Sequence, residues 1–167
     1  MRYRLDVVAP TVLSAVTYAG GWIYDRSMAG WDVTVLVDDD ADRLPLQILG
    51  AETLSLESVL TDWADRPHPQ TVAVAADLLD RDPRVLEHVR VALEQGATEV
   101  TLWGEERLPA ELDCRVDGVR HHLSGAARAF KARALAAAGA RDVHVGPIET
   151  FRCGMMVSVA ADLVPAS

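Results

Sequence analysis

The sequence predicts an α/β three-layer, Rossmann-like domain with a mostly parallel sheet of about five to seven strands and a C-terminal edge hairpin. Three observations carry this. Short β-branched runs alternate with longer helical segments. The helical segments end in glycine directly before the next run, as in Gly30-Trp31-Asp32-Val33-Thr34-Val35-Leu36-Val37 and Gly96-Ala97-Thr98-Glu99-Val100-Thr101-Leu102-Trp103. Finally, the run Val33–Val37 is apolar without alternation, which places it in a sheet covered on both faces. No internal repeat or low-complexity linker divides residues 1–167, so they read as one domain.

Residues 3–9 form the first predicted strand, closed by Pro10-Thr11, where Thr11 is an N-cap type. From Val12 to Ala29, Val12, Val16, Ala19 and Ile23 share one helical face. Gly20-Gly21 falls inside that helix, about ten residues past the strand, which suits close packing or a kink better than a phosphate loop. Val33–Val37 is the second strand. Ala51–Leu54 is a short third, followed by a helix over Leu56–Ala64 capped by Ser55. Thr71–Ala76 is the fourth strand, and Asp82-Pro83 starts a helix that buries Val85, Leu86, Val89 and Leu93 before Gly96. Glu99–Trp103 is the fifth. Glu105–Asp113 reads as an irregular connection and Ser124–Ala138 as an alanine-rich helix stopped by Gly139. Asp142–Val145 is expected to be a strand, with Phe151–Ala161 extended beside it as an edge.

Half of the 167 residues are hydrophobic and a quarter charged, which describes a globular chain with a substantial core. The apolar part of Val12–Met28 is broken by Ser14, Thr17, Gly20, Gly21, Asp25 and Arg26, and Asp6 and Pro10 interrupt any leader-like run. A cytoplasmic location and no membrane partner are the expectation. Cys114 and Cys153 form no CxxC pair, so a disulfide framework and a structural zinc site are both disfavoured, although His121, His122 and His144 supply ligand types. The net charge of −9 disfavours a nucleic-acid partner. Acid lies early and base late: residues 115–152 carry seven basic and three acidic side chains.

In an open parallel sheet, ligands bind beyond the carboxyl ends of the strands where the strand order reverses. A Rossmann-like order makes the first and fourth strands flank that crevice. Thr11 and Ser14, at a helix N-terminus, are then candidates to hold an anion with the first-turn N–H groups. Asp38, opening the run Asp38-Asp39-Asp40, stands where a ribose-binding carboxylate follows a second strand, and Asp77 follows the fourth. Asp38, Asp77 and Glu105 form a hard-cation constellation on paper, although an acidic run is more often a solvated loop. Arg128 and Lys131 share a helical face that suits a phosphate or an acidic partner surface, although such a face is more often solvated or paired with the acidic part of the same chain. No GxSxG elbow or recognised cysteine context supplies a nucleophile, and the sequence names no cofactor.

These readings lead to a non-catalytic cytoplasmic binding or regulatory module. Its expected partner is a second copy or another protein, with the Met155–Val159 segment as contact. The alternative is an enzyme or sensor that binds a nucleotide or other phosphorylated small molecule at the carboxyl ends of strands 1, 2 and 4, through Thr11, Ser14, Asp38 and Asp77.

Overall fold

The computed structural model describes residues 2–38, 40–104, 107–154 and 163–165. In chain order the elements are β1 (Arg4–Val8), α1 (Val12–Met28), β2 (Asp32–Val37), α2 (Leu44–Ile48), β3 (Glu52–Ser55), α3 (Leu56–Thr61), a 3-10 turn (Trp63–Asp65) and β4 (Thr71–Ala75). They continue with α4 (Asp77–Arg81), α5 (Pro83–Gln95), β5 (Glu99–Trp103), α6 (Ala110–Asp113), β6 (Asp117–His122), α7 (Gly125–Ala137), β7 (Ile148–Gly154) and the three-residue β8 (Leu163–Pro165).

One sheet runs in the order β3-β2-β1-β4-β5-β7-β6-β8. Its first five positions are parallel, and β7, β6 and β8 add antiparallel strands at the C-terminal side. The predicted fold class stands, including the antiparallel C-terminal strands. The order reverses between β1 and β4, where Val8 lies opposite both Leu36 of β2 and Val74 of β4. That register brings the carboxyl ends of β1, β2 and β4 to the same edge.

Local signals explain the elements nearest that edge. The Ser14 N–H donates to Thr11 Oγ1 at 3.0 Å, so the first turn of α1 is capped as the sequence indicates. The helix ends before Gly30, whose φ of 92° is left-handed and strains any side-chain-bearing residue. Its inner face buries Val12, Ala15, Val16, Ala19, Trp22 and Ile23 against the sheet. On the far end of the next crossover, Asp82 caps α5 and Gly96, at φ 66°, stops it.

Gly20 and Gly21 are both buried in the interior of α1. A Cβ on Gly21 would lie 2.2 Å from Leu123 Cδ2, and one on Gly20 would lie 3.3 Å from Lys131 Cγ. The pair therefore exists for close approach of α7 and the turn before it.

The late chain departs from expectation. Asp142–Val145 is not a strand: Asp142 sits at φ 65° and Val143 is exposed, so this stretch is a turn leading into β7. β7 begins at Ile148 and lies between β5 and β6, an interior position. On the basic face of α7, Arg128 is exposed and Lys131 pairs within the chain, as such faces more often do. Lys131 is buried, and its ammonium lies 2.7 Å from Glu149 Oε2, so it faces the protein and not a phosphate. Met155–Val159 lies outside the described residues.

Gly21→Leu is expected to lower unfolding free energy by about 1–3 kcal/mol through overpacking against Leu123. Gly125→Ala, where a Cβ meets nothing within 4 Å, is the control and should change stability by no more than about 1 kcal/mol. Urea denaturation of the two variants checks both.

Candidate ligand cleft at the carboxyl edge of the sheet

A cleft of about 310 Å³ opens beyond the ends of β1 and β2. One wall is Pro10, Thr11, Val12 and Leu13 at the start of α1; a second is Val37, Asp38, Asp40, Ala41 and Asp42; Ala137 and Ala138 at the end of α7 form a third. The position follows from the fold. β1 and β2 stop in register, and the chain leaves each toward a helix on the same side.

The cleft is electrically polarised. The first turn of α1 contains no acidic side chain to neutralise its N–H groups, so the partial positive end of a 17-residue helix faces the cavity. Thr11 Oγ1 accepts from Ser14, which leaves the hydroxyl proton free to donate. Opposite stand the exposed carboxylates of Asp38, Asp40 and Asp42 and the negative end of α7. Asp42 is partly engaged, because Oδ1 accepts from the Leu44 N–H at 3.0 Å and opens α2. A ligand held there meets donors on one side and acceptors on the other.

Of the four sequence candidates, Thr11 and Asp38 line this cleft. Ser14 is half-buried one turn along α1 and does not line it. Asp77 opens α4 on the same edge of the sheet, three residues past Val74 as Thr11 is three past Val8. Its Oδ2 lies 3.4 Å from Arg81, while Oδ1 is buried and makes no hydrogen bond. Asp39 and Glu105 lie outside the described residues. Among the described residues no group of three His, Cys, Asp or Glu is placed to hold a metal ion.

Two other constellations resolve into structure. His121 Nε2 lies 2.8 Å from Asp25 Oδ2, and Ser124 Oγ donates to Asp25 Oδ1 at 2.6 Å. A hydrolytic triad needs histidine between serine and carboxylate. Here the carboxylate is central, and Ser124 caps α7 by accepting from the Ala127 N–H. These residues fasten α7 to α1. Cys153 is no nucleophile either: burial, reinforced by the negative charge of Glu99, pushes its thiol up to about 12. Between β4 and α5 an apolar cavity of about 50 Å³, lined by Val72, Val74, Val85 and Val89, is a packing gap too small for an organic ligand.

Sequence reasoning missed the most strongly constrained polar group near α1. The buried Glu149 carboxylate accepts from the backbone N–H groups of Gly21 at 2.9 Å and Trp22 at 2.7 Å, and pairs with Lys131. Burial pushes its carboxyl above the usual range, against the opposing pull of Lys131 and the two N–H donors. A glycine pair in a helix signalled a close approach, but not which residue would arrive.

The arrangement is a Rossmann-like α/β fold with antiparallel C-terminal strands, shared with solved structures. The chain is similar in structure to a pseudoaglycone deacetylase (TM-score 0.64, 13% identity, 95% of this chain and 100% of that one). A teicoplanin deacetylase, solved in a zinc-inhibited form, matches at TM-score 0.64 and 14% identity over 98% of this chain and 99% of that one. The 4-carboxy-2-hydroxymuconate hydratase of Pseudomonas putida matches at TM-score 0.58 and 13% identity over 95% and 98%. No protein-family model matches the sequence, and no curated protein does. The expectation of a non-catalytic binding or regulatory module is overturned by these likenesses: over nearly its whole length the chain has the fold of enzymes. The described residues lining the cleft include neither histidine nor cysteine; its metal-ligating types are the carboxylates of Asp38, Asp40 and Asp42.

With iodoacetamide at pH 8, Cys114, which is exposed, should alkylate in the folded protein while Cys153 stays protonated and unmodified. Peptide mass spectrometry reads the outcome, and equal labelling of the two would contradict the burial argument.

Proposed function

We propose that the protein is an enzyme or sensor of a hydroxyl-bearing small molecule, a nucleotide or another phosphorylated or acylated compound, bound at the carboxyl ends of β1, β2 and β4. The observation that carries this reading is the polarised cleft, with Thr11 on one wall and Asp38 on another. The Thr11 hydroxyl and the first-turn N–H groups of α1 hold an anionic or carbonyl oxygen of the ligand. Asp38 accepts from a ligand hydroxyl; Ser14 acts only through the cap, its N–H held by Thr11 Oγ1, and Asp77 opens the neighbouring helix on the same edge of the sheet. A single α/β domain acting in the cytoplasm, where both thiols stay reduced, fits this role.

The likeness to deacetylases and to a hydratase supports a catalytic version of the same site. Deacetylation and hydration both consume water. A carboxylate that takes a proton from water, facing N–H groups that receive the oxygen gaining charge, is the minimal arrangement for either. Asp38 is the carboxylate in position for the first role and the start of α1 for the second.

A thermal-shift panel of nucleoside phosphates, sugar phosphates and N-acetylated amino sugars, with and without magnesium, tests the reading. A ligand at about 100 times its Kd adds about 2.7 kcal/mol of stability, which a melting curve resolves. Thr11→Val and Asp38→Asn should each abolish the shift. A shift that survives both substitutions would place binding elsewhere, and a panel without any shift would remove the proposal.

A further inference from the structure

The two helical walls of the cleft are joined below it by the Lys131–Glu149 pair, and we infer that this pair is a coupling device that fixes their separation and lets the cleft widen when it is broken. The inference takes the cleft of the proposed function as its site, but its test needs no ligand.

The pair enters the backbone of α1. In an uninterrupted α-helix the Gly21 N–H would bond the Thr17 carbonyl four residues earlier. Here the Lys131 ammonium donates to Thr17 O at 2.7 Å, while Glu149 receives the N–H groups of Gly21 and Trp22. Three elements thus meet at one point: α1 through its main chain, α7 through Lys131 and β7 through Glu149. Both side chains are buried, so their mutual attraction is little screened by solvent. Gly20 and Gly21 provide the room, because a side chain at either position would meet Lys131 or Leu123.

The lever lengths match. From Thr17 back to Thr11 is six residues of α1, and from Lys131 forward to Ala137 is six residues of α7, each about 9 Å along a helix axis. Thr11 and Ala137 both line the cleft. A second polar tie between the helices, Asp25 with Ser124 and His121, lies on the far side of the pair from the cleft along both helices. With Lys131–Glu149 gone, α1 and α7 remain tied at Asp25, at the end away from the cleft.

Removing one partner strands a buried charge and destabilises the whole fold, so the informative variant is the double substitution Lys131→Met with Glu149→Leu. It removes both charges and leaves the Gly21 and Trp22 N–H groups to the helix's own carbonyls. Hydrogen exchange with mass spectrometry should show amides of residues 11–15 and 132–139 exchanging about tenfold faster than in the parent, with β1, β4 and β5 unchanged. Unchanged exchange at those two segments, or an equal rise throughout the sheet, would overturn the inference. If the double variant does not fold, Glu149→Asp, which keeps the charge but shortens the reach, should give the same local pattern at smaller amplitude; parental exchange in that variant would overturn it equally. A negative ligand panel leaves this result standing, and a failed exchange test leaves the ligand panel standing.

Discussion

A carboxylate buried beneath a helix is the constraint around which this molecule is arranged. Glu149 is out of water, and burial alone favours its neutral form. What keeps the charged form tolerable is a full set of partners: the Lys131 ammonium and two main-chain N–H groups. Such a set can form only if α7 comes close enough for a lysine to reach the α1 backbone, where its ammonium donates to the Thr17 carbonyl. Two adjacent glycines, each costing about 1 kcal/mol of helix propensity, are the condition for that approach. Loss of one member of such a pair typically costs about 3–5 kcal/mol, several times the propensity penalty, so the glycines are the cheaper side of the balance.

The same constraint organises the sheet. Glu149 belongs to β7, which pairs with β5 on one side and β6 on the other, so its anchorage under α1 ties the antiparallel strands to the parallel half. Trp22 packs on Phe151 of β7 with ring centroids 5.0 Å apart, extending the contact by one apolar layer. The parallel half does not need this help. There β1, β2 and β4 are covered on both faces and stop in register, and the cleft is the geometric consequence of their stopping together. The antiparallel half therefore governs where α7 lies, and α7 supplies one wall of a cavity whose floor is the parallel half.

How much of this is legible in the sequence depends on the range of the interaction. Strands β1 to β5 and helices α1, α5 and α7 rest on local signals: Thr11, Ser55, Asp82 and Ser124 as caps, Gly30, Gly96 and Gly139 as stops, and unbroken β-branched runs. Each of those signals acts within a few residues of the element it defines. Short helices such as α2 and α4 carry fewer than two turns of periodicity, so nothing in their pattern separates them from loop. Asp142–Val145 has the composition of a strand but no neighbouring strand to pair with, while β7, with Glu149, Arg152 and Cys153, looks too polar for the interior place it takes. Its polar residues are satisfied by partners remote in sequence: Glu149 by Gly21 and Trp22, and Arg152 by the Gly104 carbonyl. The same distinction holds at the site. Thr11 and Asp38 follow strand ends and so could be placed from topology, whereas the contribution of Ala137 and Ala138 depends on how α7 docks.

The electrostatics of the cleft narrow what the fold leaves open. The solved structures that share this architecture act on chemically unlike substrates, so the architecture alone selects no substrate. The local charges do discriminate. A fully ionised phosphate would be drawn to the start of α1 but would pay for proximity to Asp38 and Asp40, unless a cation or a hydroxyl of the same ligand faced those carboxylates. A neutral acyl oxygen or a sugar hydroxyl meets no such penalty, since each can use one wall without being repelled by the other. Coulomb attraction between unit charges about 4 Å apart ranges from about 1 kcal/mol in water to about 4 kcal/mol near a protein surface, so even partial exclusion of water makes this preference large enough to select ligands. The pattern of donors and acceptors, more than the presence of any single residue, is therefore the basis on which hydroxyl-bearing small molecules are proposed as ligands of the cleft.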